Sequence, residues 1–443
     1  MKILLTGATG YIAKRLLPVL IDNNHDVICC VRDKNRFDIK KYSSSKISAI
    51  EVDFLQENTL ENIPIGIDIA FYLIHSMSVE SGNFESLEHV AASNFKKRIQ
   101  LTNAKQVIYL SGIVNESILS KHLESRKNVE KILSNASFAL TTLRAGIIVG
   151  SGSASFEIIR DLVEKLPIMV APRWLNTKTQ PIAIRNVIEF LYGVIEKNET
   201  YNKSYDIGGP DILTYQEMLL GFAKVRKLRR KIFVIPVMTP KLSSYWLYFV
   251  TATSFALAKN LVDSMKVEVI CRESNLAKFL NITLIDYETS IRLAFDKIEH
   301  NQVISSWKDA QTSGLLNDGI SKYIEVPKNG CFLDIRKEKT LDPEKSLDKI
   351  FSIGGNNGWY YGNKLWAIRG FIDQLFGGVG LRRGRKSQTE IFAGDALDFW
   401  RVLIADKKNK RLLLYAEMKL PGEAWLEFKI NKNNEVIQTA TFR

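Results

Sequence analysis

Two glycines near the N-terminus stand where a polypeptide can hold a phosphate group. Residues 2–6 read as a short apolar strand, Gly7 and Gly10 lie in the turn after it, and residues 11–17 have the apolar spacing of a helix. Glycine permits a turn that a Cβ would strain, and it lets the backbone approach a ligand closely. Because the N–H groups of a helix N-terminus attract anions, the pattern predicts a pyrophosphate site. A tight turn without a ligand is the alternative.

The end of the second predicted strand, residues 25–31, bears on which dinucleotide would bind. Arg32 and Asp33 follow it, where dinucleotide-binding folds meet the adenosine ribose. An acidic side chain there favours the free 2′-hydroxyl of NAD, whereas a guanidinium can bind a 2′-phosphate through two hydrogen bonds. Because Arg32 comes first, NADP is the expected cofactor, and Asp33 leaves NAD open. For Arg32 the alternative is a solvated charge at a strand end.

Four further apolar segments alternate with helical ones and predict a doubly wound parallel α/β sheet. The predicted strands are residues 47–52, 67–74, 106–110 and 138–143. In such a sheet, the carboxyl ends of the strands share one edge, which is where a cofactor lies. The residues at or just beyond the ends of the first three are Asp53, Phe54, Ile74, His75, Ser76, Ser111 and Gly112.

Six ordered motifs give the first half of the chain a family resemblance. They are TGATGYIAKRL, VRD, VDF, YLIHSM, YLSGI and LRAGIIVGSGSASFEIIRDLVEKLP. Together they resemble the atypical short-chain dehydrogenase/reductases, NmrA-like branch. The resemblance implies an NAD(P)-binding Rossmann domain in which Asp53 and Phe54 contact adenine, and Ile74 and His75 contact the nicotinamide-side ribose. The expected cofactor-binding residues are Gly7, Thr9, Gly10, Tyr11, Ile12, Arg32, Asp53, Phe54, Ile74, His75, Ser76, Ser111 and Gly112.

The catalytic pair of ordinary members of that superfamily is replaced in this chain. Those members use a serine with Tyr-x-x-x-Lys, in which the lysine lowers the tyrosine pKa so that the phenol exchanges a proton at the carbonyl oxygen. Here His122 and Arg126 stand in the two positions, four residues apart on one helix face. We interpret His122 as an acid/base, Arg126 as a ligand of ribose or phosphate oxygens, and Ser111 as the group that orients a carbonyl.

Two functions remain open on this evidence. One is an NADPH-dependent reductase of a carbonyl or conjugated double bond in a small, lipophilic molecule. The other is a non-catalytic, NADP(H)-sensing protein of the NmrA-like type, in which His122 and Arg126 are a solvated helix pair. Sugar-nucleotide epimerase chemistry is disfavoured because the Tyr-x-x-x-Lys pair needed for reversible proton exchange is missing.

Composition limits the class of protein. A chain of 443 residues, 46% hydrophobic and 25% charged, predicts a globular protein of several domains. The four cysteines are scattered without metal-ligand spacing, so no metal site is expected. The N-terminus does not read as a signal peptide, which predicts a cytoplasmic location. A net charge of +13 attracts polyanions, but no nucleic-acid-binding motif accompanies it, and no nucleic-acid partner is expected.

We predict three regions: a Rossmann domain over 1–215, a substrate-side helical subdomain and linker over 216–305, and a C-terminal domain over 320–443. Thr214 is a candidate N-cap for a helix over 214–226. A basic cluster over 224–231 precedes an uncharged run, 242–258, that falls short of the ~20 apolar residues of a spanning helix. A helix covering a hydrophobic substrate pocket is expected there, with contact to an anionic bilayer surface as the lesser alternative. Oligomeric state is not predicted.

The C-terminal region reads as a separate α+β domain. A strand over 330–336, helices over 343–353 and 364–376, and four later β-rich segments predict an antiparallel meander with helices. The motifs GWYYGNKLWAIRGFIDQLFGGVGLRRGR, GDALDFWRV and AEMKLPGEAWLEF resemble a domain of unknown function related to the START/polyketide-cyclase helix-grip class. That resemblance implies a cavity for an apolar ligand. Trp359, Trp366, Phe371, Trp400 and Trp425 are candidates to line it, although aromatic residues at this spacing are more often core.

Overall fold

The computed structural model divides the chain into two compact units. Among the residues that it describes, those up to 299 belong to the first unit and those from 331 belong to the second. The uncharged run at 242–258 lies outside the described residues, and the predicted domain boundaries stay predictions. The described residues are 1–34, 37, 39–42, 44–74, 84–114, 121–235, 265–272, 274–299, 331–375, 385, 391, 395–418, 423–431 and 433–442.

Strands and helices alternate through most of the first unit. Its strands are β1 (Lys2–Leu5), β2 (Asp26–Val31), β3 (Ile47–Glu51), β4 (Ile69–Tyr72), β5 (Gln106–Gly112), β6 (Ala139–Ala145), β7 (Ile148–Val149), β8 (Ile168–Pro172), β9 (Lys178–Thr179), β10 (Ile182–Ala183), β11 (Lys203–Ile207), β12 (Leu213–Thr214) and β13 (Lys231–Ile235). Its helices are α1 (Tyr11–Asp22), α2 (Phe84–Ile99), α3 (Lys121–Ser134), α4 (Ala154–Lys165), α5 (Ile184–Gly193), α6 (Tyr215–Val225), α7 (Leu276–Phe279) and α8 (Tyr287–Glu299).

Seven of these strands form one parallel sheet in the order β11-β6-β5-β4-β1-β2-β3. Side chains alternate between its faces, so Ile3 and Leu5 of β1 pack with α1 and α5, while Leu4 packs with α2 and α3. The strand order reverses between β1 and β4, which leaves a crevice at their carboxyl ends. The doubly wound Rossmann sheet predicted from the sequence is confirmed, and the bounds of the six predicted strands agree with the observed ones to within two residues.

A smaller layer packs beside the sheet. Strand β13 pairs with β8 in parallel, and Phe156 of α4, Phe222 of α6 and Phe295 of α8 meet with ring centroids 5.4–5.7 Å apart. Thr214 caps α6, as predicted: its hydroxyl accepts the Glu217 N–H, and the Glu217 carboxylate accepts the Thr214 N–H. Because α4 and β8 precede residue 216, this layer is not contiguous in sequence.

The second unit is built on an antiparallel sheet. Its elements are β14 (Phe332–Lys339), α9 (Pro343–Ile350), α10 (Asn363–Leu375), β15 (Ala396–Leu397), β16 (Trp400–Asp406), β17 (Arg411–Ala416), β18 (Ala424–Ile430) and β19 (Glu435–Phe442). The strand order is β14-β19-β18-β17-β16-β15. The predicted antiparallel meander with helices is confirmed, and the START-like class stays a prediction. None of the helices in the described residues is both long and apolar enough to cross a membrane.

The aromatic candidates of this unit have different surroundings. Trp359 and Trp366 pack against the same apolar core as the buried Trp400, with Trp359 and Trp400 ring centroids 6.0 Å apart. Trp425 is buried in a second cluster. Phe371, by contrast, lies on a solvent-exposed part of α10. The tryptophans are therefore core residues, and Phe371 does not line an enclosed cavity.

A buried ion pair between Arg401 and Glu417 links β16 to the end of β17, and both side chains are 4% exposed. Two hydrogen bonds of 2.9 Å join the guanidinium to the carboxylate. Arg401→Met should lower the free energy of unfolding by about 3–5 kcal/mol, because the carboxylate is left buried without its partner. The double variant with Glu417→Leu should recover most of that loss. Urea unfolding followed by tryptophan fluorescence measures both.

The matched control for this prediction is Arg336→Met, which breaks the exposed pair with Asp334. It should change stability by less than about 0.5 kcal/mol. Equal effects of Arg401→Met and Arg336→Met would contradict the argument from burial.

Candidate functional site

The turn between β1 and α1 has the backbone geometry of a phosphate-binding loop. Gly7 has a φ of +62°, and a Cβ at this residue would lie 2.8 Å from the Leu73 carbonyl oxygen. Gly10 donates its N–H to the Gly7 carbonyl oxygen at 2.7 Å and is the N-cap of α1. Within the described residues no side chain caps this helix, so the amides of its first turn stay available to a ligand. The loop therefore fits the pyrophosphate of a dinucleotide.

Thr6 holds this turn at the point where the strand order reverses. Its hydroxyl donates to the Phe71 carbonyl oxygen at 2.9 Å and accepts the Leu73 N–H at 3.0 Å. The Thr6 side chain thus extends the hydrogen bonding between β1 and β4 one residue beyond the end of β1. The sequence analysis did not single out Thr6, although a hydroxyl residue directly before the first glycine was a visible signal.

At the predicted adenosine end, Arg32 and Asp53 are neighbours. The Arg32 side chain is solvent-exposed, yet surrounding protein groups desolvate part of it and lower its pKa, while the Asp53 carboxylate opposes that change. Asp53 also accepts the Leu55 N–H at 3.0 Å and so orders the loop after β3. The Phe54 side chain is buried beside Phe95. A contact between Phe54 and adenine would therefore have to come from its backbone.

The Tyr11 side chain points into the protein rather than along the turn. The Arg15 guanidinium lies 4.8 Å from its ring centroid, and the hydroxyl interacts with Ser153 and Arg15. Burial raises the pKa of Tyr11 to about 12. Arg15 in turn donates to the Ser151 carbonyl oxygen at 2.6 Å. Tyr11 and Arg15 therefore tie α1 to the segment before α4, and only the Tyr11 backbone is left for a cofactor.

Thr9 and Ile12 lie half-buried on either side of Gly10, and Ile74 lies half-buried just beyond β4. They share the carboxyl edge of the sheet with Gly7. His75 and Ser76 lie outside the described residues.

Ser111 and Arg126, two of the predicted catalytic residues, come together at the carboxyl end of β5. Ser111 is 1% exposed, and its Oγ makes no well-formed hydrogen bond within the described residues, although it interacts with the Tyr109 hydroxyl. A Cβ at Gly112 would lie 3.5 Å from Arg126 Cδ, so the Arg126 stem lies directly over this glycine. Arg126 Nε is also buried without a partner in the described part of the chain. His122 lies one turn earlier on α3, and its side chain is not among those described.

A buried polar cluster that the sequence analysis missed lies behind Ser111. Tyr109 donates its hydroxyl to the Arg126 carbonyl oxygen at 3.3 Å, and burial raises the pKa of Tyr109 to about 12. Ser125 of α3 donates to the carboxylate of Glu88 on α2, and both residues are buried. Because Tyr109 reads as one more apolar strand position and Glu88 as a helix-surface charge, the sequence carries no local signal for this cluster.

A second missed network binds the segment 265–272 to the sheet edge. Asp206 of β11 is buried and accepts the Arg272 Nε–H at 2.9 Å and the Arg272 backbone N–H at 3.1 Å. Arg144 of β6 lies 3.7 Å from the same carboxyl group and pairs with Glu130 at 2.6 Å. The network keeps a segment distant in sequence beside the carboxyl ends of β6 and β11.

Comparisons with known proteins agree with this geometry. Residues 7–162 match a family described as NAD(P)H-binding, and residues 329–443 match one described as protein of unknown function (DUF2867). Divinyl chlorophyllide a 8-vinyl-reductase, chloroplastic, from Arabidopsis thaliana is 22% identical over 225 residues, which are 47% of this chain and 53% of that protein. The chain thus spans about half the length of this curated relative.

Solved structures share the fold of the first unit. A nucleoside-diphosphate-sugar epimerase from Staphylococcus aureus has 15% identity and a TM-score of 0.53, over 66% of this chain and 100% of that one. An NADPH-dependent quinone oxidoreductase from Escherichia coli, solved with NADPH, has 16% identity and a TM-score of 0.54, over 66% and 99%. UDP-glucose 4-epimerase from Thermotoga maritima has 13% identity and a TM-score of 0.51, over 68% and 99%. At these identities the likeness shows the fold.

Gly7→Ala should weaken NADPH binding about 5- to 150-fold. A side chain at positive φ, 2.8 Å from a backbone oxygen, costs on the order of 1–3 kcal/mol, and the turn must move to relieve that strain. NADPH fluorescence titration measures the affinity. Gly66→Ala is the control, since a Cβ there meets nothing within 4 Å. Full affinity in the Gly7→Ala protein would refute the site at this turn.

The strand order, the glycine turn and the family match all describe the same cofactor fold. The solved structures that share this fold include one named as an epimerase and one named as an NADPH-dependent oxidoreductase, so the fold by itself does not select a reaction. The C-terminal match covers the antiparallel unit. The first unit therefore has the fold of a dinucleotide-binding Rossmann domain and matches a family described as NAD(P)H-binding over residues 7–162, and residues 329–443 match the DUF2867 family.

Proposed function

We propose that this protein is an NADPH-dependent reductase of a carbonyl or conjugated double bond in a small, lipophilic molecule. The observation that carries the proposal is the meeting of Ser111 and Arg126 at the carboxyl end of β5. Arg126 Nε is buried there without a hydrogen-bond partner among the described residues, and the buried Ser111 Oγ interacts only with the Tyr109 hydroxyl in that part of the chain. Buried polar groups without partners cost free energy, so their presence beside a cofactor fold is typical of a substrate site.

The two side chains have the chemistry for polarising an oxygen. When bound, the cofactor supplies a hydride. As a substrate carbonyl carbon accepts it, the π electrons move to the oxygen, where Ser111 Oγ–H can donate a hydrogen bond and the Arg126 guanidinium can stabilise the growing negative charge. Arg126 keeps its own proton, so it cannot complete the reaction alone.

The proton that completes the reduction is assigned to His122, because histidine is the side chain that most often serves as a general acid in enzymes. The Tyr109 hydroxyl also lies near Arg126, but its pKa of about 12 makes it a poor proton donor. It also donates a hydrogen bond to the Arg126 carbonyl oxygen. The assignment of His122 rests on its place one turn before Arg126 on α3.

Three observations support the proposed substrate class. The curated relative is named for reduction of a vinyl group, which is a carbon–carbon double bond. The missing Tyr-x-x-x-Lys pair argues against an epimerase, although epimerases share the fold. A lipophilic substrate accords with the apolar residues after position 232.

A preference for NADPH over NADH is part of the proposal and depends on Arg32.

Arg32→Asp should weaken NADPH binding about 10- to 150-fold and leave NADH binding nearly unchanged, because a charge-assisted hydrogen bond to the 2′-phosphate is worth about 1.5–3 kcal/mol. Fluorescence titration with both cofactors measures the preference. Lys34→Asp is the matched control, an equal charge change at an exposed residue two positions along. A variant at residue 32 that still prefers NADPH would remove the specificity argument.

Ser111→Ala, His122→Asn and Arg126→Met should each lower kcat about 10²- to 10³-fold, and the Kd for NADPH of the His122→Asn protein should stay within about threefold. The assay is NADPH oxidation with a panel of quinones, enones and aldehydes. Lys127→Gln on the same helix is the control, since Lys127 is exposed. Turnover that is insensitive to all three substitutions would rule out the catalytic assignment.

The rival is a non-catalytic protein that senses NADP(H), favoured by the loss of the Tyr-x-x-x-Lys pair. It predicts tight NADPH binding, no reduction of any member of the panel, and a cofactor-dependent change in protease sensitivity. NADPH consumption matched by product formation would exclude it.

A further inference from the structure

The two-stranded sheet of β8 and β13 presents an apolar face to solvent. Met169 and Ala171 of β8 point inward and are each 1% exposed, whereas their neighbours Ile168 and Val170 are 59% and 46% exposed. Phe233, which pairs with Val170, is 55% exposed. The solvent side of a strand normally carries polar residues, and a contiguous apolar patch marks an interaction surface.

A basic rim borders this apolar face. A cavity of about 520 Å³ lies at its edge, with Ile168, Leu220 and Leu228 on the apolar side. The basic side is formed by Lys224, Arg229, Arg230 and Lys231. Apolar and cationic groups therefore lie side by side on one surface of the first unit.

Most of the positive charge on this rim is not neutralised by acidic side chains. Lys224 pairs with Glu288 at 2.7 Å. Arg229 and Lys231 are exposed, and no carboxylate among the described residues pairs with them. Arg230 directs its guanidinium to backbone carbonyl oxygens, including that of Glu164 at 3.3 Å. The rim is thus able to attract anionic groups.

We propose that this surface, formed by Ile168, Val170, Phe233 and the rim at Arg229–Lys231, docks on an anionic lipid bilayer. The apolar side chains enter the boundary between headgroups and acyl chains, and the rim contacts lipid phosphates. Apolar anchors next to clustered cations are the composition of elements that lie in a membrane interface. This inference goes beyond the proposed reductase activity and holds whether or not the protein is catalytic.

The test is flotation of the full-length protein with vesicles of phosphatidylglycerol and phosphatidylcholine, and with vesicles of phosphatidylcholine alone. We expect binding to the anionic vesicles that falls as salt is raised. Each basic residue near an anionic surface contributes about fivefold in partition, so Arg229→Gln/Lys231→Gln should weaken binding about 25-fold. Phe233→Ser should weaken it at least tenfold through lost apolar insertion.

Two control variants test whether a loss of vesicle binding comes from this surface or from lower net charge and lower overall hydrophobicity. Lys105→Gln/Lys203→Gln removes the same charge at two exposed residues, one just before β5 and one at the start of β11, and Leu101→Ser removes an exposed leucine elsewhere. Both should bind vesicles as the unmodified protein does. NADPH affinity and thermal unfolding check that every variant is folded.

Three outcomes would overturn the proposal. One is absence of binding to anionic vesicles at low salt. Another is equal weakening by the control variants. The third is a lipid-free dimer that Phe233→Ser dissociates, because the surface would then serve a second copy of the chain.

Discussion

The first unit depends on one close approach, between the turn after β1 and the end of β4. The Leu73 carbonyl oxygen lies 2.8 Å from the position that a Cβ of residue 7 would take, and Thr6 joins the same two segments through its hydroxyl. Only a glycine lets the chain pass here and turn directly into α1. The helix N-terminus is thereby placed at the reversal of strand order, where its free amides and the crevice coincide.

Charged and polar groups buried behind the site keep its edge rigid. Glu88 and Ser125 join α2 to α3, and Tyr109 joins β5 to the backbone of Arg126. Asp206 similarly holds a distant segment through Arg272. Buried polar networks are stable only when their members are satisfied, so these links restrict where α3 can lie. Ser111 and Arg126 depart from that rule at the point where a substrate would sit.

The two units bury their core residues in different ways. The first encloses a parallel sheet between two helical layers, whereas the second buries the Arg401–Glu417 ion pair and a tryptophan-rich core in an antiparallel meander. The face of β8 and β13 follows neither arrangement. Its side chains still alternate between the inner and outer sides, but the outward-facing residues are apolar. Exposed apolar patches bordered by polar residues are typical of interaction surfaces.

The sequence by itself determined the features that depend on neighbouring residues: the strand–glycine–helix unit at Gly7, the Thr214 cap, and the strands to within a few residues. These features follow from backbone sterics and from the spacing of apolar residues, both of which can be read from short stretches of sequence. Only the tertiary structure decided that Phe54 is buried in the core, that Tyr11 faces Arg15, and that Arg126 reaches Gly112. These contacts depend on which helix crosses which strand and in what rotation, information that periodicity along the chain does not contain.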